Sequence, residues 1–532
     1  MRNSQWMMRR AVCSASILAS TLVGCTPTQS DQLEWSFDTG LTIEYVTSDG
    51  PVPPACETAP SCPVRHPDIG DGAVGAYPIG FGPLTEDCFT EADENGDGEG
   101  MCKGIPISIR SYGNAYEQYP LDIAMDAKGN SVIVGGFEGT INFGDGELAS
   151  AGFRDIFVVK FNDRGEVLWS RSFGDEQYQQ AQRVALDDAG NVFVTGHFKG
   201  SLDFGSGPLV GKGFRDAFLL KLDSSGAHVW SKRFGDAAEQ YGRGVATDSD
   251  GNVYVAGATT GTIDLGNGPL TSAGWEDIFI AKLDGDGFPL WSKLFGDAAT
   301  QDVWDMATDS EGNAIFTGFM QGTVDFGDGA PEVATGQPDA LLVKLDPSGD
   351  LVWSKTGAGY GLQYGQSVAV DRDDNIIMTG AFKSEIKIDG NVMYAAGPSD
   401  VFITRFSPSG LLNWNARFGD GDEQFSLIAS TDRENNILVT GSFMGSISFG
   451  GDTLSSEGSF DTFAAKLDPL GDHLWSRRFG DGDYQEGSGI AADQLGNVQL
   501  LGLFSGTISF GEASIYSSTP VSIDLFVGTL SP

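Results

Sequence analysis

A tryptophan returns every 61 or 62 residues along most of this chain, at Trp169, Trp230, Trp291, Trp353, Trp414 and Trp475. An aspartate that ends an apolar run keeps the same step, at Asp126, Asp187, Asp248, Asp309, Asp371, Asp432 and Asp493, which makes seven copies of one unit. A repeat of this size cannot bury its own apolar surface and must stack on its neighbours. That constraint replaces the several independent domains that 532 residues would otherwise suggest.

Each copy carries four strand-like runs. In the second copy they are residues 184–187, 191–198, 216–223 and 228–234. The first pair turns through Asp-x-x-Gly-Asn and the second through Asp-x-x-Gly, where Asp accepts local backbone N–H groups and Gly supplies a positive φ. Between the second and third runs lies a longer connection that reads as a small hairpin, clearest around Ile386–Val392 with its Asp389-Gly390 turn signal. Glycine numbers 74 of 532 residues, about 14% against a usual ~7%. Tight turns between short strands account for that excess.

Four antiparallel strands per unit, seven times over, predict an all-β, seven-bladed β-propeller of four-stranded antiparallel blades spanning 105–532. A linear solenoid is the competitor, but it would need polar end caps. The last copy stops at Pro532 without a fourth strand, and residues 107–112 align one period before Leu168–Phe173. Pairing 107–112 beside the C-terminal strand would close the ring and remove two free edges. The unit, with Asp-x-x-Gly-Asn-Val-x-Val-x-Gly, Asp-Phe-Gly, Asp-x-Phe-x-x-Lys-Leu and Leu-Trp-Ser-x-x-Phe-Gly, resembles the seven-bladed β-propeller (SBBP) repeat of secreted bacterial proteins and lipoproteins. That resemblance implies a fold and no common enzymatic activity. Copy five departs most, with Thr356-Gly357-Ala358 for Phe-Gly-Asp, one inserted residue, and Lys387-Ile388-Asp389 for Asp-Phe-Gly.

Arg2, Arg9 and Arg10 precede an apolar or small stretch at residues 11–24, too short for the ~20 residues that cross a bilayer, so residues 1–24 read as a signal peptide. Leu22-Val23-Gly24-Cys25 is similar to a bacterial lipoprotein signal, which implies lipidation of Cys25, a membrane anchor, and an outer-membrane or cell-surface location. Residues 25–104 then form a tether and a small cysteine-rich segment. In an oxidising exported compartment Cys56, Cys62, Cys88 and Cys102 are expected to form two disulfides, with three pairings open. Within it, Asp93, Asn95, Asp97 and Glu99 offer oxygen donors at the spacing of a calcium loop, making calcium the one candidate cofactor. A solvated acidic turn is the plainer reading, because Gly104 stands where an EF-hand has its bidentate glutamate.

With 73 acidic and 32 basic side chains the formal charge is −41, which excludes nucleic acid as a partner. A glutamine stands eight residues before each repeated aspartate, at Gln118, Gln179, Gln240, Gln301, Gln363, Gln424 and Gln485. These amides are expected near the axis on one face, either as a polar ring that grips a ligand or as partners for backbone at blade junctions. An aspartate opens every third strand and a lysine or arginine follows five residues later in six copies, with none in the last. They are expected to pair across blades or cap turns. Trp230, Lys232 and Phe234 share one face of a fourth strand, a sugar platform or an inter-blade contact.

No His-based metal motif, G-x-S-x-G elbow or P-loop lysine occurs in the sequence. The expected function is therefore non-enzymatic: an envelope lipoprotein whose propeller binds a protein or glycan ligand through the face built by the inserted hairpins. The alternatives are a carbohydrate-active enzyme with Asp or Glu in the channel, and a calcium-dependent glycan binder.

Overall fold

The computed structural model describes residues 103–511, 513–520 and 522–532. Cys25, Cys56, Cys62, Cys88, Cys102 and the Asp93–Glu99 loop lie outside the described residues.

Seven four-stranded antiparallel sheets follow one another, each with its own two-stranded hairpin, and no helix occurs among the described residues. The second blade runs Gln179–Leu186, Val192–Phe198, Asp216–Leu222 and His228–Phe234 from the axis outward. The first strand thus starts at the glutamine, five residues before the expected 184. Its opening half carries varied polar residues that hide the alternation of a strand. A bulge after Ala181 breaks the period again.

The turns form as their residues dictate. Asp187 Oδ1 accepts the Asn191 N–H at 2.8 Å, and Asn191 Nδ2 donates to Oδ2 at 2.7 Å. Asp374 and Asn435 take the left-handed position filled elsewhere by Gly, with φ of 61° and 65°. Both are among the few side chains that tolerate it. On the second strand Gly196 is obligatory, because a Cβ there would lie 2.0 Å from the Gln180 carbonyl and 2.9 Å from the Phe218 ring.

Blades meet through their apolar faces, and Val192–Phe198 is buried at every position. Towards the perimeter the wedge between blades widens, and the hairpins fill it. Leu202 and Phe204 of the second hairpin sit in one cluster with Val158 and Trp169 of the first blade and Phe218 of their own. Asp145, in the first hairpin, accepts from Ser170 N at 2.7 Å and Ser170 Oγ at 2.6 Å on the outer strand. The hairpins therefore pack between the blades and against the outer strands.

The tryptophans are inter-blade contacts. Trp169 Nε1 donates to Ser224 O of the next blade at 3.1 Å, and a Cβ on Gly226 would lie 2.7 Å from the same indole. The repeated lysines pair mostly within their own blade, onto the aspartate of the first hairpin turn: Lys282–Asp248 at 2.9 Å, Lys344–Asp309 at 2.7 Å and Lys466–Asp432 at 2.9 Å. Lys344 also reaches across to Pro408 O at 3.1 Å, so the across-blade expectation holds for its second bond. The third-strand aspartates cap turns as expected, with Asp216 Oδ2 accepting the Lys212 N–H at 2.9 Å.

Pro106–Tyr112 pairs antiparallel with Asp524–Leu530 as the outer strand of the seventh sheet, and so closes the ring. A single core cluster joins Tyr112, Ala491, Leu501 and Leu525 of that sheet to Ile123, Ile133 and Phe157 of the first. Closure in this way pairs the terminal edges that an open array would leave bare. Blade five keeps its four strands. The inserted residue lies in the preceding hairpin segment: Thr323 to Asp339 contains one residue more than Thr262 to Asp277. In structural register Gly357, Ala358 and Gly359 take the places of Phe, Gly and Asp, one residue later than the sequence alignment set them, and the Ala358 amide bonds to Lys387 O at 3.1 Å.

Candidate interaction face

The repeated glutamines open the innermost strands at the end of the ring where each chain returns from an outer strand. All seven are fully buried. Gln301 shows why: its Oε1 accepts the Asp297 N–H at 3.2 Å, while Nε2 donates to Asp297 Oδ1 at 2.9 Å and to Gln321 O at 2.7 Å. Gln118, Gln179, Gln424 and Gln485 donate to the corresponding carbonyls. Gln363 has Gly359 in place of the acid and donates to Glu385 O at 2.8 Å. Gln240 holds Asp236 in the same manner. All seven amides are buried and each Nε2 donates locally, with Gln363 Oε1 and Gln424 Oε1 left without a partner among the described residues, so the glutamines serve the return loops and present no exposed ring of amides.

What those amides position is a set of side chains that does not repeat. Four residues before each repeated aspartate the innermost strands carry Asp122, Arg183, Gly244, Asp305, Ser367, Ile428 and Gly489. Arg183 reaches past the third blade to Asp305 at 3.2 Å and donates to Trp304 O at 2.9 Å. Ser367 Oγ donates to Asp305 Oδ2 at 2.8 Å, and the Val184 N–H donates to Asp122 Oδ2 at 2.9 Å. This polar chain ties blades one, two, four and five together. Burial pushes the Asp122 carboxyl up to about 7 despite the pull of Arg183.

Nearer the glutamine end the same strands carry Tyr119, Gln180, Tyr241, Asp302, Tyr364, Phe425 and Glu486. On blades one to three, arginines interleave with the tyrosines. Arg154 lies 3.7 Å from the centre of the Tyr119 ring, Arg215 lies 5.4 Å from that of Tyr241, and Arg243 lies 5.0 Å from the same ring. Acids balance them: Arg154–Glu138 at 3.6 Å, Arg215–Glu239 at 3.6 Å and Arg243–Asp302 at 3.2 Å. His197 lies between Tyr178 and Tyr241, and burial followed by the three arginines holds its imidazole well below the usual range, so it is neutral. Burial, helped by Asp302 and opposed by Arg243, lifts Glu276 to about 7. Further round, Trp304 stacks on Tyr364 at 5.1 Å.

Directly before the third strands, the first three blades expose one large aromatic each: Phe153 (58%), Phe214 (68%) and Trp275 (72%). The other four copies have Gln337, Pro398, Ser459 and Ser522 at that place. Three consecutive blades thus present an aromatic arc beside the arginine–tyrosine–acid belt. This combination of aromatic and Arg groups is the composition of binding hot spots. Reading for what repeats passes over it. The signal lies in the columns where aligned copies differ, between each glutamine and its aspartate and just before each third strand.

The SBBP family, described as a beta-propeller repeat, matches residues 229–263. An uncharacterized WD repeat-containing protein of Acanthamoeba polyphaga mimivirus is 22% identical over 440 residues, covering 67% of this chain and 32% of that protein. The regulatory protein FlaEY of Caulobacter vibrioides is 24% identical over 397 residues, covering 69% of this chain and 41% of that protein. The chain spans 32% and 41% of the length of these two relatives. Among solved structures it is similar to the WD40 domain of Pan2 from Neurospora crassa, with 9% identity and a TM-score of 0.41, covering 78% of this chain and 90% of that one. The beta-propeller domain of the Trilobed protease from Pyrococcus furiosus gives 10% identity and a TM-score of 0.38, covering 77% and 98%.

Proposed function

We propose that this seven-bladed β-propeller with an SBBP-type repeat is a non-enzymatic binding platform of the cell envelope, tethered to a membrane through lipidated Cys25. It takes a protein partner on the face that carries Phe153, Phe214 and Trp275. The observation behind this reading is that arc, repeated at one register on three adjacent blades and absent from the other four. Large aromatics left in water cost ~1.5–3 kcal/mol each relative to burial, so a partner that covers them gains affinity. The arginines beside them add directional bonds to carboxylates or carbonyls. The chain's formal charge of −41 repels anionic surfaces.

The arrangement of the channel acids favours binding over hydrolysis. Asp305 already accepts from Arg183, Ser367 and Val368, and Asp122 accepts from Val184, so neither stands free to act on a glycosidic bond. The test is a screen of envelope proteins and glycans against the purified exported chain, with and without calcium, repeated with Phe153→Ser/Phe214→Ser/Trp275→Ser. Saturable binding of a protein, lost in the variant and without product, supports the platform. Product formation, or binding that the variant retains, rejects it. Replacing Cys25 with Ser should move the protein from the membrane to the soluble fraction.

A further inference from the structure

The outer strands carry one row of cations in which a single blade breaks the repeat. Two residues beyond the tryptophans stand Arg171, Lys232, Lys293, Lys355 and Arg477, and Arg110 holds the same place in the closing strand. The fifth blade has Ala416 there. Each outer strand pairs on one side only. Leu412–Phe418 pairs with Asp400–Phe406, and its other edge carries no strand among the described residues. A charged side chain on such an edge keeps another chain from adding to the sheet. Two of the guards also hold the edge strand's own backbone: Arg171 donates to Ser170 O at 2.7 Å, and Arg477 to Ser476 O at 3.0 Å. Ala416 can do neither.

The groups that hold such a cation are still in place beside Ala416. In the second blade Lys232 lies 5.9 Å from the centre of the Trp230 ring, and Lys293 of the third pairs with Asp350, on the next blade's turn, at 3.1 Å. Their counterparts here are Trp414 and, in the sixth blade's turn, Asp472. Trp414 keeps its seat: Nε1 donates to Pro469 O at 3.1 Å, and a Cβ on Gly471 would lie 3.1 Å from the indole. Asp472 is exposed and has no ion pair among the described residues, whereas the matching Asp350 has one. Arg417, the next residue along the strand, is held by Asp400. An indole face and a carboxylate are therefore left without the cation that the repeat would supply.

We propose that the outer edge of the fifth blade is a docking site for an extended cationic peptide, which adds to the sheet as a fifth strand. Its backbone pairs with the free edge of Leu412–Phe418. One lysine or arginine of the peptide, set beside Ala416, lies over the Trp414 ring and pairs with Asp472. It supplies the charge that the other six outer strands supply themselves. The formal charge of −41 draws a basic segment towards the chain and repels an acidic segment or a second copy. This edge is on the rim of the fifth blade, apart from the aromatic arc of blades one to three, and does not depend on the platform reading.

A blocked peptide alternating Val and Thr around one central lysine, titrated into the purified exported chain by calorimetry, tests it. One saturable site is expected, and the amides of Leu412–Phe418 should gain protection from hydrogen exchange on binding. The same peptide with glutamate in place of lysine should bind at least tenfold more weakly. So should one with proline on both sides of the lysine, which lacks the N–H groups of a ladder. Ala416→Lys restores the guard of the other six blades and should weaken binding at least tenfold, with Tm unchanged or raised. If that variant fails to fold, Asp472→Asn, on an exposed turn, carries the same expectation for binding. No saturable binding by the unmodified chain, equal binding of all three peptides, or unchanged affinity in the folded variant overturns the proposal.

Discussion

Trp475, on the outer strand of the sixth blade, lies flat on Gly104, at the opposite end of the described chain, so closely that a Cβ on the glycine would come within 2.6 Å of the indole. Trp169 meets Gly226 in the same way two blades on from that junction. The turn before the closing strand is therefore a blade turn like the others. Arg477 fastens it by donating to Lys103 O at 3.1 Å. Gly104 also has a φ of +63°, where a side chain is strained whatever the space. Gly104→Val should cost about 2–4 kcal/mol in guanidinium unfolding, and Trp475→Ala about 3–5 kcal/mol. An unchanged midpoint in both would mean that the two ends do not bear on each other.

The buried glutamines are structural, so their loss should be read in stability. Gln301→Ala removes the partners of Gln321 O and the Asp297 N–H and should cost about 2–3 kcal/mol by the same unfolding measurement. Ligand binding by the folded variant should be unaltered.

Two buried aspartates should pull the pH profile in opposite directions. Burial holds Asp122 at about 7, above its ordinary 3.8, with Arg183 opposing the shift. A carboxyl whose folded value is raised stabilises fully below 3.8, and that stability is lost as pH rises towards 7. Asp122→Asn should therefore flatten the fall of Tm between pH 4 and pH 8 and raise Tm at the upper end.

Burial also pushes Asp309 up, but the bonds from Lys344 and Asn313 outweigh it and hold the carboxyl below 3.8. Its contribution is present above 3.8 and is lost as pH falls through the folded value. Lys344→Met leaves a buried carboxylate without its cation and should cost about 3–5 kcal/mol at pH 7. The gap between variant and unmodified protein should narrow in acid, where Asp309 is protonated in both states. A gap that does not narrow as the pH is lowered would assign the loss to packing.

The aromatic arc should be separable from the fold. Phe153, Phe214 and Trp275 project into solvent, so replacing all three with Ser should change stability by no more than about 0.5 kcal/mol per site. A large drop in Tm would show that the side chains support the ring.

The fold was legible because its signal is periodic. The tryptophan step, the Asp-x-x-Gly-Asn turns and the unfinished last copy all lead to a closed ring, and Ile107–Tyr112 takes the place that its alignment with Leu168–Phe173 predicts. The face was less legible for the same reason. Gln118 to Gln485 repeat because each solves one backbone problem, whereas Arg154, Arg215, Phe214 and Trp275 stand out only once the repeat is subtracted. Alternation around Asp389-Gly390 identifies a hairpin but not where it packs. That is decided by the outward-widening gap between blades, which Phe204 and its counterparts fill. The partners of Arg183 two blades away have no sequence signal at all, since they meet only once the ring is closed.

Hydrogen exchange of the amides in Pro106–Tyr112 tests closure most directly. The account predicts protection equal to that of Asp524–Leu530 and Val498–Phe504 in the same sheet, because the four strands open as one unit. Exchange of 106–112 within seconds, while 498–504 stays protected for hours, would contradict it.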